Sequence, residues 1–88
     1  PHIGWNSLSL SSAKSKLLKG IPINDQLFYF CNSYGIEHSD KFNGAYSEYK
    51  HENNMIALAE YNNIFGVQFH PEKSRKQGLQ IISNFINL

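Results

Sequence analysis

From residue 27 onward the chain alternates short apolar runs with turn residues, and only its end carries helical spacing. Leu27–Cys31 (LFYFC) is aromatic, continuous and short, which predicts a strand. Its near-continuous apolarity predicts burial on both faces. Asn32–Gly35 ends that run. Ala45–Tyr49 and Met55–Tyr61 predict two further strands, with His51–Asn54 as the turn of a hairpin. Tyr61-Asn62-Asn63 turns the chain again, and Ile64–Phe69 is the next strand. Strands joined by such short turns pair antiparallel. Ser74 with Gln77 three residues on fits a capping box. Leu79, Ile82, Phe85 and Ile86 recur at three-to-four spacing, so Ser74–Asn87 predicts an amphipathic helix with one buried face. Gly78 inside it costs roughly 1 kcal/mol against alanine and marks a close approach to a neighbour.

The first part of the chain is less regular. Pro1–Trp5 reads as a strand or strand end that runs into Asn6. Residues 7–20 are rich in serine and lysine and predict a polar connection. Leu17 and Leu18 close that connection in a short helical turn, with Gly20 as its stop. Ile21–Gln26 holds Pro22, Asn24 and Asp25, all turn chemistry.

With 88 residues, the pattern fits one small domain with a thin core. The chain opens at Pro1 without a leader, directly in a dense segment, and reads as a piece of something longer. A net charge of +1 gives no reason to propose a nucleic-acid partner or an acidic membrane surface. No apolar run approaches the roughly 20 residues that span a bilayer. The single cysteine excludes an internal disulfide and a cysteine-rich zinc site, and a reduced, cytoplasmic setting is the natural reading.

Three segments carry candidate chemistry. In FHPEKS, Phe69–Ser74, the residue before proline is pushed toward extended backbone, and residues two apart in an extended segment share a side. His70 and Glu72 therefore read as a base and its orienting carboxylate, two members of a nucleophilic triad; the plainer reading is a solvated turn. In FYFCNSYGIE, the turn at Asn32–Gly35 offers backbone N–H groups to a carboxylate, or is an ordinary exit from a strand. In PHIGWN, His2 and Trp5 flank a glycine and read as an interface or as core. His38 and His51 sit in polar loops and read as solvent-exposed. No third and fourth ligand accompanies them, so no metal is expected.

Taken together and in this order, PHIGWN, FYFCNSY and GVQFHPEKS followed by GLQIISNFINL resemble the C-terminal half of class I (triad) glutamine amidotransferases, over essentially the whole chain. QFHPE is shared across the class. PHIGWN and the FYF-x-x-SY segment point to the branch of glutaminase subunits that serve imidazole glycerol phosphate synthases. The resemblance implies an α/β, flavodoxin-like fold present in part: a mixed sheet with an antiparallel part and a C-terminal helix, residues 1–88 forming the C-terminal portion of the domain. It implies His70 as triad base and Glu72 as its orienting acid. It implies that the main chain at Ser33 and Tyr34 grips the glutamine α-carboxylate. Pro1, His2, Ile3, Trp5 and Asn6 would face the synthase partner that receives ammonia, and no cofactor is required. Lys73 and Ser74 complete the family's PEKS, with Lys73 either a functional residue or a solvated lysine at the helix start.

Two departures qualify that resemblance. The family usually has histidine where this chain has Asn32. Its nucleophile, a cysteine in a Gly-x-Cys-x-Gly elbow, and its glycine-rich oxyanion strand precede PHIGWN and are not in this sequence. Cys31 lies in an aromatic strand without the glycines an elbow needs and reads as core. The chain alone is therefore expected to be inactive, and to self-associate through an unpaired edge and an uncovered apolar face. The alternatives are a paralogue that supplies ammonia for surface-polysaccharide sugars, and a non-catalytic interaction domain.

Overall fold

The computed structural model describes residues 1–11 and 15–88. Five strands, β1 (His2–Ser11), β2 (Leu27–Asn32), β3 (Ala45–His51), β4 (Asn53–Tyr61) and β5 (Ile64–Val67), precede a helix, α1 (Arg75–Ile86). They form one sheet in the order β2-β1-β3-β4-β5. The α/β class and the C-terminal helix are as the resemblance implies. The antiparallel part of the sheet extends over all four pairings among the described residues.

β1 is longer than Pro1–Trp5 predicts. It continues through Asn6 into Ser7-Leu8-Ser9-Leu10-Ser11, where polar and apolar residues alternate with the period of a strand. The serines of the expected polar connection thus belong partly to the sheet. His2–Ser7 pairs with β2, and the strand then passes to β3, with Leu8 opposite Tyr49. A register shift between Leu8 and Leu10 marks the handover. Residues 12–14 of that connection lie outside the described residues. Leu17 and Leu18 are buried in the expected turn, which ends at Gly20 with φ +80°.

Curling of the sheet sets up the site. A second register shift, at Ser47/Glu48, leaves Ala57 of β4 without an opposite residue, and such bulges increase local twist. The chain leaving β5 then bonds first to β4, from Gln68 N–H to the Ala57 carbonyl at 2.8 Å, and next to the far strand β2, from His70 N–H to the Tyr29 carbonyl at 2.9 Å. Segment 68–70 thus bridges two strands from opposite parts of the sheet. Phe28, Phe30, Tyr49, Leu58 and Phe69 fill the inside of the curl. Phe28 stacks on Phe69 with ring centroids 4.2 Å apart, and Phe30 lies 4.2 Å from Tyr49.

Several expectations are corrected. β2 is not buried on both faces: Phe28 and Phe30 point inward, while Leu27 and Cys31 are exposed. The curl encloses one face, and no layer among the described residues covers the other. Cys31 is therefore not a core residue. The buried face of α1 is Gly78 and Ile81, whereas Leu79, Phe85 and Ile86 are more than half exposed. Among the described residues the helix packs along one side, so only one line of its apolar positions is buried. An apolar groove of about 230 Å³ remains between α1 and β5, lined by Leu17, Phe65, Val67, Ile81, Ile82 and Phe85. The hairpin turn narrows to Glu52, with φ +67°. Nor are His38 and His51 solvent-exposed loop residues. His38 is half-buried, with Nδ1 3.4 Å from buried Glu48, and His51 ends β3 with its ring 4.5 Å from that of His2.

Candidate active site

Phe69, buried against Phe28, fixes where the chain leaves the core. His70 follows in extended conformation, with φ −96° and ψ 100°, and Pro71–Lys73 form a 3-10 turn. Pro71 opens this turn, where its fixed φ suits the geometry and its missing N–H costs nothing. The His70 Nδ1 lies 3.0 Å from Glu72 Oε2. The pairing expected from sequence is present, but the route differs: a tight turn, not continuous extended backbone, brings the two groups together. Both side chains keep access to solvent, at 36% for His70 and 59% for Glu72. The hydrogen bond from His70 holds the Glu72 carboxyl below its ordinary value, with a smaller contribution from a backbone bond. A carboxylate on Nδ1 sets the imidazole tautomer and directs Nε2 toward a second partner.

The backbone of this turn is fastened to β2. Tyr29 is bonded through both halves of its main chain: its carbonyl accepts from His70 N–H at 2.9 Å, and its N–H donates to Ser74 Oγ at 3.0 Å. The Ser74 hydroxyl in turn donates to the His70 carbonyl at 2.6 Å. Gln77 Nε2 donates to the Leu27 carbonyl at 2.6 Å. One expectation is overturned here: Ser74 and Gln77 do not form a capping box, since the Ser74 side chain makes no cap bond; both are drawn onto β2, whose outer edge they bond at Leu27 and Tyr29. Gly78 allows this closeness, because a Cβ there would sit 2.0 Å from the Pro71 carbonyl oxygen.

Ser33 and Tyr34 lie in the turn after β2, both exposed. Asn32 Nδ2 donates to the Tyr34 carbonyl at 3.0 Å and shapes that turn. The two residues line a pocket of about 440 Å³ together with Pro1, His2, Tyr49 and His51. His70 and Glu72 are not in its lining, so the structure brings Ser33 and Tyr34 to the chain's opening segment and not into one pocket with the pair.

That opening segment divides between two faces, as a strand must. Ile3 and Trp5 point outward on the same face as Tyr29 and Cys31. Trp5 is thus not a core tryptophan: it meets Tyr29 edge-on at 5.8 Å, and the Arg75 guanidinium lies 5.0 Å from its ring centroid. His2 points inward against Phe30, Tyr49 and His51. Burial, then the nearness of His51, lowers its pKa. Asn6 donates to the Lys50 carbonyl at 3.0 Å. Cys31 sits opposite Ile3 in the body of β2 without a left-handed backbone angle, which is no nucleophile elbow.

Sequence reasoning did not assign Tyr29 and Ser74 to the site. Tyr29 acts through its peptide group, which no residue type announces, and Ser74 at a helix start reads first as a cap.

The family model for class-I glutamine amidotransferases matches residues 1–88. The chain belongs to this family. It is 46% identical to the imidazole glycerol phosphate synthase subunit HisH of Pelagibacter ubique (strain HTCC1062), over all of this chain and 41% of that protein. It is 41% identical to the subunit of the same name in Nostoc punctiforme, over 98% of this chain and 40% of that protein. It is 38% identical to the imidazole glycerol phosphate synthase subunit HisH 1 of Campylobacter jejuni (strain RM1221), over all of this chain and 42% of that protein. This amidotransferase chain therefore spans about two fifths of the length of the curated relatives it matches.

Proposed function

We propose that this chain is the base-bearing part of a glutaminase subunit that supplies ammonia to a cyclase partner for imidazole glycerol phosphate formation. One observation carries the reading: a histidine held at Nδ1 by a carboxylate at 3.0 Å, directly after the buried Phe69 and open to solvent. Membership of the amidotransferase family, and the printed names of relatives 38–46% identical over the whole chain, support it.

The chemistry assigns each residue a role. A cysteine thiol from outside this chain gives its proton to His70 Nε2 as sulfur attacks the glutamine side-chain amide carbon. His70 returns that proton to the departing nitrogen, and ammonia leaves. Water then attacks the thioester with His70 again as base, which frees glutamate and restores the thiol. Glu72 keeps the tautomer and stabilises the imidazolium in both halves. The main chain at Ser33 and Tyr34 holds the glutamine α-carboxylate. Ile3 and Trp5 face the partner from the outward side of β1, with Pro1, His2 and Asn6 completing that edge. The 88 residues alone are inactive, because the nucleophile and the oxyanion donors lie outside them.

The test uses the full-length gene product mixed with a cyclase subunit. Glutamate formation that depends on the partner, with imidazole glycerol phosphate as a product, is the expected result. Partner-independent turnover, or none on glutamine, contradicts the reading.

A further inference from the structure

We propose that Ser74 is the positioning residue of the His70–Glu72 pair, its buried hydroxyl fixing the backbone of the base to β2. Ser74 is fully buried, at 0% exposure. Its Oγ donates to the His70 carbonyl at 2.6 Å and accepts from Tyr29 N–H at 3.0 Å. The same Tyr29 accepts from His70 N–H at 2.9 Å. His70 is thereby held at both ends of its own residue: its N–H by the Tyr29 carbonyl, and its carbonyl by Ser74, which Tyr29 holds in turn. A serine hydroxyl is one donor and one acceptor at a single atom, so it can close this ring of bonds. Alanine supplies neither: the Tyr29 N–H then loses its partner, and the His70 carbonyl keeps only the Lys73 N–H at 3.1 Å, a bond inside the turn that does not reach β2.

A helix-capping role does not account for the residue. Ser74 makes no side-chain cap bond, and its own N–H goes to the Pro71 carbonyl at 3.1 Å, inside the turn. Everything the hydroxyl touches belongs to His70 or to the strand that holds His70. The turn it closes sets the reach between His70 Nδ1 and Glu72 Oε2. Loosening it by a fraction of an ångström displaces the base relative to a reacting amide, and misplacement of about 1 Å costs on the order of 100-fold in rate.

This inference rests on the glutaminase reading, and two measurements on the full-length gene product in complex with its cyclase partner keep the two apart. The first is steady-state glutamine turnover of Ser74→Ala, Ser74→Cys and Ser74→Thr. Ala and Cys are expected to lower kcat by about 10- to 100-fold with KM for glutamine within about twofold, because uniform substrate binding is untouched. Thr, which keeps the hydroxyl, is expected to recover most of the loss. The second is carboxyl-carbon NMR of Glu72, which needs no activity. In Ser74→Ala its titration midpoint is expected to rise as the His70 bond loosens. An inactive wild type in which the Glu72 midpoint still responds to Ser74 refutes the glutaminase reading alone. A Ser74→Ala protein with unchanged kcat and an unmoved Glu72 midpoint overturns the inference. So does a set in which all three variants, Thr included, fail to fold, since Ser74 then serves folding and not the pair.

Discussion

His70 and Glu72 are two residues apart in sequence and meet at 3.0 Å, Nδ1 to Oε2, across a turn that Pro71 opens. The contact pulls the Glu72 carboxyl below its ordinary value of 4.5. A carboxyl depressed in the folded state contributes stability that is fully present above its unfolded value and is lost as pH falls through the folded one. The pair is thus expected to be intact throughout the neutral range and to come apart only in acid, below pH 4.5. Carboxyl-carbon NMR is expected to place the Glu72 midpoint under 4.5 in the wild type and to return it upward in His70→Ala. A midpoint unmoved by that substitution contradicts the hydrogen bond as the cause.

Removing the negative charge while keeping the shape tests the orienting role. Glu72→Gln is expected to lower kcat of the full-length gene product on glutamine by roughly 100- to 10,000-fold with little change in KM, as for other carboxylates that hold a catalytic imidazole. A loss below threefold assigns Glu72 to the solvated turn.

Gly78→Ala should behave opposite to helix propensity. Alanine normally gains roughly 1 kcal/mol over glycine in a helix interior. Here its Cβ would lie 2.0 Å from the Pro71 carbonyl oxygen and 2.8 Å from Ser74 Cβ. Overpacking of this kind costs about 1–3 kcal/mol, and the displaced element is the turn that carries His70 and Glu72. Thermal melting is expected to show a lower Tm, with glutamine turnover reduced alongside it. An unchanged or raised Tm contradicts the packing.

Glu60 is expected to matter for stability and not for chemistry. Its buried carboxylate accepts from Lys16 N–H at 2.8 Å, Leu17 N–H at 3.1 Å and the Ser15 hydroxyl, and so pins the turn that buries Leu17 and Leu18. Glu60→Ala leaves these donors unpaired, at about 1–3 kcal/mol for a buried group. Urea unfolding is expected to move to a lower midpoint. A midpoint within error of the wild type refutes the anchoring role.

The isolated 88 residues present Ile3, Trp5 and Leu27 on one face and Leu79, Phe85 and Ile86 on another, all exposed. Uncovered apolar faces drive association. Light scattering across a concentration series is expected to show growing mass, and Leu79→Lys with Phe85→Lys to reduce it. A monomer at every concentration contradicts this. Of the two sheet edges, that of β2 is the weaker route, since segment 70–77 already bonds its outer side.

Local pattern made the later strands, the hairpin and the helix legible, along with the pairing of His70 with Glu72. What stayed hidden depends on long-range geometry. The S-L-S-L-S alternation that carries β1 past Trp5 was in the sequence, but serine's preference for turns masks a period-two signal. The burial of β2 on one face and the exposure of Cys31 follow from how far the sheet curls, which two register shifts decide. Leu79 and Phe85 have the spacing of a buried stripe, yet Ile81 is the residue inside, because the side of α1 that meets the sheet is chosen by Ser74, Gln77 and Gly78. Ser74 and Gln77 look like a cap in one dimension and are strand anchors in three.

The proposed glutaminase chemistry turns on His70 as its base. The deciding measurement is ammonia release from glutamine by the full-length gene product mixed with a cyclase subunit, wild type against His70→Ala at equal folded concentration. Loss of at least about 1,000-fold in kcat with glutamine still bound is the expected result, the scale on which removing one member of a nucleophile–base pair acts. Turnover within tenfold of the wild type would contradict the account and return FHPEKS to the status of a solvated turn.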